Sequence, residues 1–415
     1  MKEFFQILVN SIFVFSVIFI WLMLLYQFIL TIGGFLWRNK LSKESYNFSE
    51  NELPSVSVLI PARNEEKVIG KLIESLLQMK YPEEKIEIIV INDGSDDRTE
   101  EIVRDFTLKD KRIRILNIPK EESGKGKGEA LNKGLKEAKN DVIAVYDADN
   151  IPEPDSLYKL CGALISEKKL AGCVGKFRAY NKGRNLLTRL INIESIAFQW
   201  IIQAGRWFFM KISFIPGTNF VIWRKVLEEI GGWDRKALTE DSELTFRIYE
   251  KGYRIKFLPV VTSWEQEPER LKTWIRQRTR WAMGNSYIIS KYLKKILKTK
   301  LNFSLIELLN LVYLYYLFVF AILFSDTLFI LALSKIIRIT VIGPYAELWA
   351  FAFFLFLIEI LIALSFERED NLSNFLLSIF AYLTYTKLWV FVVLRALYFQ
   401  YFSKKEKKWE KTERF

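Results

Sequence analysis

The 415-residue chain contains no histidine. Imidazole is therefore excluded as a general base and as a metal ligand, and carboxylates must supply both. A divalent ion held by oxygen ligands alone is a hard one, such as Mg²⁺ or Mn²⁺. Only two cysteines occur, Cys161 and Cys173. They are too few and wrongly spaced for a structural zinc site, and they read as buried reduced thiols. No internal repeat is visible, and no low-complexity stretch beyond a basic end. No recognised nucleic-acid module accompanies the net charge of +12. No nucleic-acid partner is expected.

What is abundant is apolar sequence, unevenly spread. Residues 4–37 form an almost uncharged run that ends in Trp37-Arg38-Asn39-Lys40. A bilayer core needs about 20 helical residues, and the run is too long for a signal-peptide core, so a retained anchor is expected. Further apolar blocks lie at roughly 304–333, 341–366 and 372–402. The positive charge clusters beside these blocks, as cytoplasmic flanks do, and there it meets anionic headgroups. The tail Lys404-Lys405-Glu406-Lys407-Lys408 reads as such a flank.

Between the apolar blocks the pattern changes. Val56 to Ile60, Ile86 to Ile91, Ile113 to Leu116 and Asp141 to Tyr146 read as short buried strands. Residues 65–79, Thr99 to Phe106 and Ala130 to Ala138 read as the helices between them. Alternating strands and helices imply an α/β domain on a mainly parallel sheet. Ligands of such sheets gather beyond the carboxyl ends of the strands. Asp93 and Asp147 each follow a strand, so both are expected on one rim.

Several stations along this stretch carry chemistry, and each has a bland reading beside it. Arg63 can stack on a base and Glu65 can accept hydrogen bonds, or Asn64-Glu65-Glu66 simply caps a helix. Asp93, before Gly94, can accept from a uracil-like N–H, or belongs to an ordinary turn. Gly124-Lys125-Gly126-Lys127-Gly128 lacks Walker spacing. It offers Lys127 to a diphosphate or is a solvated basic loop. Asp147-Ala148-Asp149 can clamp a metal that neutralises a leaving diphosphate, or starts a helix. Asp241, in Thr239-Glu240-Asp241, is the best placed base for an attacking hydroxyl, or the triplet is a helix start. In Gln277-Arg278-Thr279-Arg280-Trp281, Arg280 can pair with phosphate and Trp281 can face a sugar ring. The same segment also reads as an amphipathic helix on the membrane surface.

Taken in this order, the stations resemble those of the membrane-integrated family-2 glycosyltransferases: cellulose, chitin, hyaluronan and poly-N-acetylglucosamine synthases. The resemblance is nearest to the last group, through Asn92-Asp93-Gly94-Ser95 and the continuation Trp281-Ala282-Met283-Gly284. It implies a GT-A-type (Rossmann-like) catalytic domain combined with an α-helical transmembrane region. It implies uracil contacts at Arg63, Glu65 and Asp93, with Lys127 near the nucleotide. Metal and diphosphate binding fall to Asp147 and Asp149, and the base role to Asp241 beside Glu240. Gln277, Arg280 and Trp281 would hold the diphosphate and the acceptor end, with Gly217 and Thr218 in an acceptor-side loop. Two departures stand out. Arg63 often corresponds to an aromatic residue, and Asn92 replaces the first acid of the commoner motif.

The expected organisation is an anchor over 1–37, a linker over 38–53 and a cytosolic catalytic domain over 54–265. Interface helices follow over 266–300, then a transmembrane region over 301–402 and the basic tail over 403–415. The expected activity is inverting, metal-dependent transfer from a UDP-sugar, with N-acetylglucosamine as the best choice. The acceptor is the end of a β-linked polysaccharide that passes through the cell membrane, and a small accessory membrane subunit is a further partner the reading allows. Two other readings stay open: one addition to a lipid acceptor, as in ceramide glucosyltransferases, or a non-catalytic scaffold or receptor. Three full C-terminal crossings would put the basic tail opposite the catalytic domain, against the positive-inside tendency. Lys387 and Arg395 make the last block the suspect. Glu347 and Glu359 can line a sugar path or pack helices. Residues 184–212 are expected to be helices packed on the catalytic sheet, or a membrane-surface contact.

Overall fold

The computed structural model describes residues 2–42, 48–296 and 303–402. The expected basic tail lies outside them.

The four strands expected from their apolar runs form in order: β1 (Val56–Ala62), β2 (Ile86–Asn92), β3 (Ile113–Asn117) and β4 (Val142–Val145). They pair in parallel in the order β3-β2-β1-β4. Helices cover both faces of such a sheet, which is why its strands are near-continuously apolar. The connecting helices are α2 (Ile69–Leu77), α3 (Thr99–Lys109) and α4 (Lys127–Glu137).

The second half of the sheet is mixed. β5 (Ile151–Pro152), α5 (Ser156–Ser166) and β6 (Leu170–Ala179) come first. Then follow α6 (Leu186–Ala197), a π-helical stretch over Phe198–Ala204, and α7 (Gly205–Met210). β7 (Phe220–Trp223), α8 (Arg224–Glu229), α9 (Glu240–Glu250) and β8 (Arg254–Glu265) complete the domain. β7 lies antiparallel between β4 and β6, β6 runs parallel to β8, and the two-residue β5 closes the edge. The eight strands form one mostly parallel, GT-A-like sheet. Cys161 and Cys173 are both free and buried in its core.

Helix α1 (Lys2–Leu41) runs four residues past the end of the apolar run. At 1.5 Å per residue it is about 60 Å long, twice a bilayer core of about 30 Å. Its last third therefore docks on the catalytic domain. Gly33 and Gly34 cross the 198–210 segment so closely that a Cβ on Gly34 would stand 2.2 Å from the Trp200 carbonyl oxygen. Trp37 is buried, and its indole donates to the Phe257 carbonyl at 3.1 Å. Residues 184–212 thus pack on α1, and also on the sheet, where the Gln199 side chain bonds both backbone groups of Phe177.

After β8 come α10 (Leu271–Ile296), α11 (Phe303–Val312), α12 (Val319–Leu333), α13 (Tyr345–Phe366), α14 (Leu372–Leu383) and α15 (Tyr385–Tyr401). A π-helical turn joins α11 to α12. Among the described residues, four segments are long and apolar enough to cross a membrane: Lys2–Leu41, Leu305–Leu333, Tyr345–Phe366 and Leu372–Tyr401. They support membrane association.

Contacts orient these helices. At one end Gln6 and Asn10 of α1 bond Arg338 and Thr340 in the turn between α12 and α13. At the other end Glu367, just past α13, receives Lys176 of the catalytic domain at 2.6 Å. The last segment breaks at Thr384 (φ −130°, ψ −65°). Its first helix, α14, spans only about 18 Å at helical rise. Lys387, one of the two suspect charges, pairs with Asp326 of α12 at 2.9 Å. Glu359 is buried within α13, whereas Glu347 is exposed in its first turn.

Candidate active site

The carboxyl ends of β1, β2 and β4 open on one rim. Asp93 follows β2 directly, and its N–H reaches back to the Ala62 carbonyl of β1 at 2.8 Å. Its carboxylate accepts the Gly124 N–H at 3.0 and 3.2 Å and lies 3.9 Å from Arg63. Gly124 has φ +72°, and a Cβ there would meet the Arg63 guanidinium at 2.3 Å. Burial raises the Asp93 carboxyl above the usual aspartate range, against the pull of the Gly124 N–H and Arg63.

The cap position of α2 is Val68, with no side-chain bond. Asn64 and Glu65 stitch two rim loops together. The Asn64 side chain accepts the Asp96 N–H at 2.7 Å, and the Glu65 N–H donates to Thr99 Oγ1 at 2.7 Å. Glu65 is buried in this corner with Asp93.

The glycine-lysine loop connects this corner to the next station. Lys127, in the first turn of α4, is nearly enclosed. Its Nζ lies 2.5 Å from Asp147 Oδ1 and donates to the Gly217 carbonyl at 2.8 Å. Glu240 stands 3.9 Å away. Burial works against the ammonium, but Asp147, Glu240 and Asp241 outweigh it and hold the Lys127 pKa above the ordinary lysine range. Asp147 keeps 33% of its side chain open to solvent. Its backbone N–H donates to Thr218 Oγ1 at 3.0 Å, and Thr218 bonds the Asn150 side chain.

Thr239 occupies the cap position of α9 but makes no side-chain cap bond. The triplet is more than a helix start. Gly217, at φ +91°, leaves room for Asp241: an added Cβ would lie 2.9 Å from Asp241 Oδ2 and 3.4 Å from Lys127 Nζ. Burial and then the Asp241 carboxylate push the Glu240 carboxyl up to about 7, with Lys127 opposing. Burial raises Asp241 too, against Lys127 and Arg280. The charge on Asp241 thus bears directly on the proton of Glu240.

Helix α10 brings the final station against this pair. Gly284 lets it approach, since a Cβ there would meet Thr239 Oγ1 at 2.3 Å. Arg280 donates to the Leu238 carbonyl at 3.1 Å, and its charge reaches both acids. Gln277 and Trp281 are joined instead through Arg278, which bonds Gln277 Oε1 at 2.9 Å and lies 4.0 Å over the Trp281 ring.

Arg278, the Gly124 N–H, Asn150 and Gly284 had no role of their own in the sequence reading. Arg278 and Asn150 had a signal, since each lies inside or directly beside a station. The two glycines show their purpose only through residues distant in the chain.

Asp147 and Asp149 are the oxygen donors a hard cation takes, and Asp149 also accepts the Gln266 N–H at 3.3 Å. Among the described residues no group of three or more acidic or cysteine side chains could cage an ion. Two carboxylates fall short of a six-oxygen shell. An ion held here would have to complete its shell with phosphate oxygens and water.

Residues 57–231 match the model of the glycosyl transferase family 2. Over 412 residues, 98% of each protein, the chain is 45% identical to a Bacillus subtilis (strain 168) protein named probable glycosyltransferase YdaM. This chain belongs to glycosyl transferase family 2. It is also 30% identical over 263 residues to the poly-β-1,6-N-acetyl-D-glucosamine synthase of Staphylococcus aureus (strain COL), covering 63% of this chain and 62% of the synthase. Among solved structures it shares the fold of the mannosyltransferase PcManGT from Pyrobaculum calidifontis, in complex with GDP-Man and Mn²⁺. That match has a TM-score of 0.62 at 19% identity and covers 94% of this chain and all of that one.

Proposed function

We propose that this chain transfers a sugar, N-acetylglucosamine by preference, from a UDP-sugar to the end of a growing β-linked polysaccharide. One observation carries the reading. The Lys127 ammonium touches Asp147 and the Gly217 carbonyl together, so the diphosphate side and the acceptor side of the site lie one side chain apart.

Arg63, Glu65 and Asp93 hold the uracil corner. The glycine-lysine loop leads from there to the diphosphate, which Lys127, Gln277 and Arg280 bind. Mg²⁺ or Mn²⁺, held by Asp147 and Asp149, would neutralise charge on the leaving diphosphate. Gly217, Thr218 and Trp281 seat the acceptor. Asp241, with Glu240 behind it, takes the acceptor proton as that oxygen attacks the anomeric carbon. The bond from that carbon to the diphosphate breaks with its electron pair leaving on UDP, and the configuration inverts. The name of the Staphylococcus relative supports the choice of sugar, and the ligands of the Pyrobaculum protein accord with a nucleotide sugar and metal through likeness of fold alone.

The catalytic domain faces the cytosol at the cell membrane, with the polymer passing along the membrane helices. α1, α11–α12 and α13 make three crossings, and α14–α15 form a re-entrant pair. Tyr401 accordingly comes back beside Tyr316, whose hydroxyl is 3.5 Å from Ser286 of α10. This removes the charge conflict of three C-terminal crossings, and a label at residue 402 is expected on the catalytic side of sealed vesicles.

The test uses protein in nanodiscs, UDP-N-acetylglucosamine, and Mg²⁺ or Mn²⁺, with products sized on a gel. A ladder of saccharides supports the polymer. A single glycolipid assigns a lipid acceptor instead, and no metal-dependent turnover with any common UDP-sugar favours a scaffold.

A further inference from the structure

A carboxylate outside the transfer chemistry holds the α10 station from the membrane side. Glu194, on α6, receives three donors from two other helices. Its Oε2 accepts from Arg278 at 3.1 Å and from the Tyr385 hydroxyl at 2.7 Å, and its Oε1 accepts the Trp389 indole N–H at 2.7 Å. The Tyr385 oxygen accepts in turn from the Trp274 indole at 3.0 Å. One side chain thus joins α6, α10 and the first turns of α15.

Arg278 is the middle of this arrangement. It is 3% exposed, and its guanidinium lies 4.0 Å from the Trp281 ring centroid but 5.8 and 5.9 Å from Trp274 and Trp389. A guanidinium stacked on an aromatic face fixes both planes. Burial works against the Arg278 charge, and Glu194, Tyr385 and Glu267 outweigh it. Without a carboxylate partner, a buried guanidinium turns toward other acceptors or toward water. Either movement takes it off Trp281.

We propose that Glu194 is a positioning residue: through Arg278 it sets the plane of Trp281 and ties the acceptor end of the site to α15. The proposal rests on Trp281 seating the acceptor, as argued above. It also assigns the membrane region a task besides anchoring, because Tyr385 and Trp389 hold the same carboxylate.

The experiment uses full-length protein in nanodiscs with UDP-N-acetylglucosamine and Mn²⁺. It reads transfer, donor hydrolysis by water, UDP affinity and thermal midpoint. In Glu194→Gln, transfer is expected to fall by about 10–10²-fold, as a misplaced acceptor costs, while UDP affinity and hydrolysis fall less, through Gln277, which Arg278 also holds. In Glu194→Gln/Arg278→Gln no buried charge is left unpaired, so the midpoint is expected to recover while transfer stays low. Recovery of both together would overturn the proposal, as would losses of hydrolysis and UDP affinity in Glu194→Gln as large as the loss of transfer. Trp281→Ala separates this proposal from the reading beneath it. Transfer unaffected by Trp281→Ala sinks the acceptor role itself, and the positioning proposal falls with it. Transfer lost in Trp281→Ala but intact in Glu194→Gln sinks only the positioning proposal.

Discussion

Two regions of the molecule bury charge, and they do so differently. Where the catalytic domain meets the membrane helices, Glu367 takes Lys176, Arg178 and the Trp200 indole. Glu369 takes Arg178, Lys182 and Asn192. Burial pushes the Glu369 carboxyl up, but Lys182, Arg178 and Asn192 reverse this and leave it below its ordinary range. Arg206 and Glu307 pair with no exposure at all. At the rim the outcome is the opposite: the carboxyls of Asp93, Glu240 and Asp241 all stay raised. The seam's charges are matched and shut away, so they fasten one part to another. Those of the site are buried without enough cationic charge to offset it, which suits the proton exchange and diphosphate contact proposed for them.

The contrast can be broken from either side. Asp241→Asn removes the proposed base while keeping shape. Transfer should fall by about 10²–10⁴-fold, the usual weight of a general base, with UDP affinity retained in a titration. Arg206→Met leaves Glu307 alone in the seam and should cost about 3–5 kcal/mol of stability, read by thermal unfolding in detergent. The double Arg206→Met/Glu307→Met should recover most of that loss, which no rim pair would do for activity.

Gly217→Ala places a methyl group beside Asp241 Oδ2 at φ +91°. Transfer should fall about tenfold, from strain of roughly 1–2 kcal/mol, without loss of the folded state by circular dichroism.

The smallest effect is in pH. A raised acid pKa means that the folded protein holds the proton more tightly than the unfolded chain does. The stability this gives is present at low pH and is lost as pH rises through about 7, the Glu240 value. Activity runs the other way, since the base works ionised: burial raises Asp241, so transfer should climb at a pH above the ordinary aspartate range. Asp241→Asn should move that loss of stability to lower pH by removing the charge that raises Glu240, and an unmoved loss would separate the two acids.

The parallel half of the sheet was legible because its strands are buried on both faces, so Val56 to Ile60 and Ile86 to Ile91 are unbroken apolar runs. β6 and β8 were not. Lys176, Arg178, Lys256 and Thr262 interrupt their apolar pattern: Lys176 and Arg178 pair with Glu367 across the seam, and Lys256 pairs with Glu167 at the end of α5. The stations were legible as residue types at the ends of strands and starts of helices. Their connections were not, because they span long stretches of chain: Gly124 to Asp93, Lys127 to Gly217, Arg278 to Glu194. The break at Thr384 was foreshadowed by the charge of Lys387, whose partner Asp326 lies in another helix.

The central claim is a single in-line displacement with Asp241 as base. Its most direct test is the anomeric configuration of the new linkage, read by NMR on product made from α-linked UDP-N-acetylglucosamine. The wild-type chain should make a β linkage. An α linkage would contradict it.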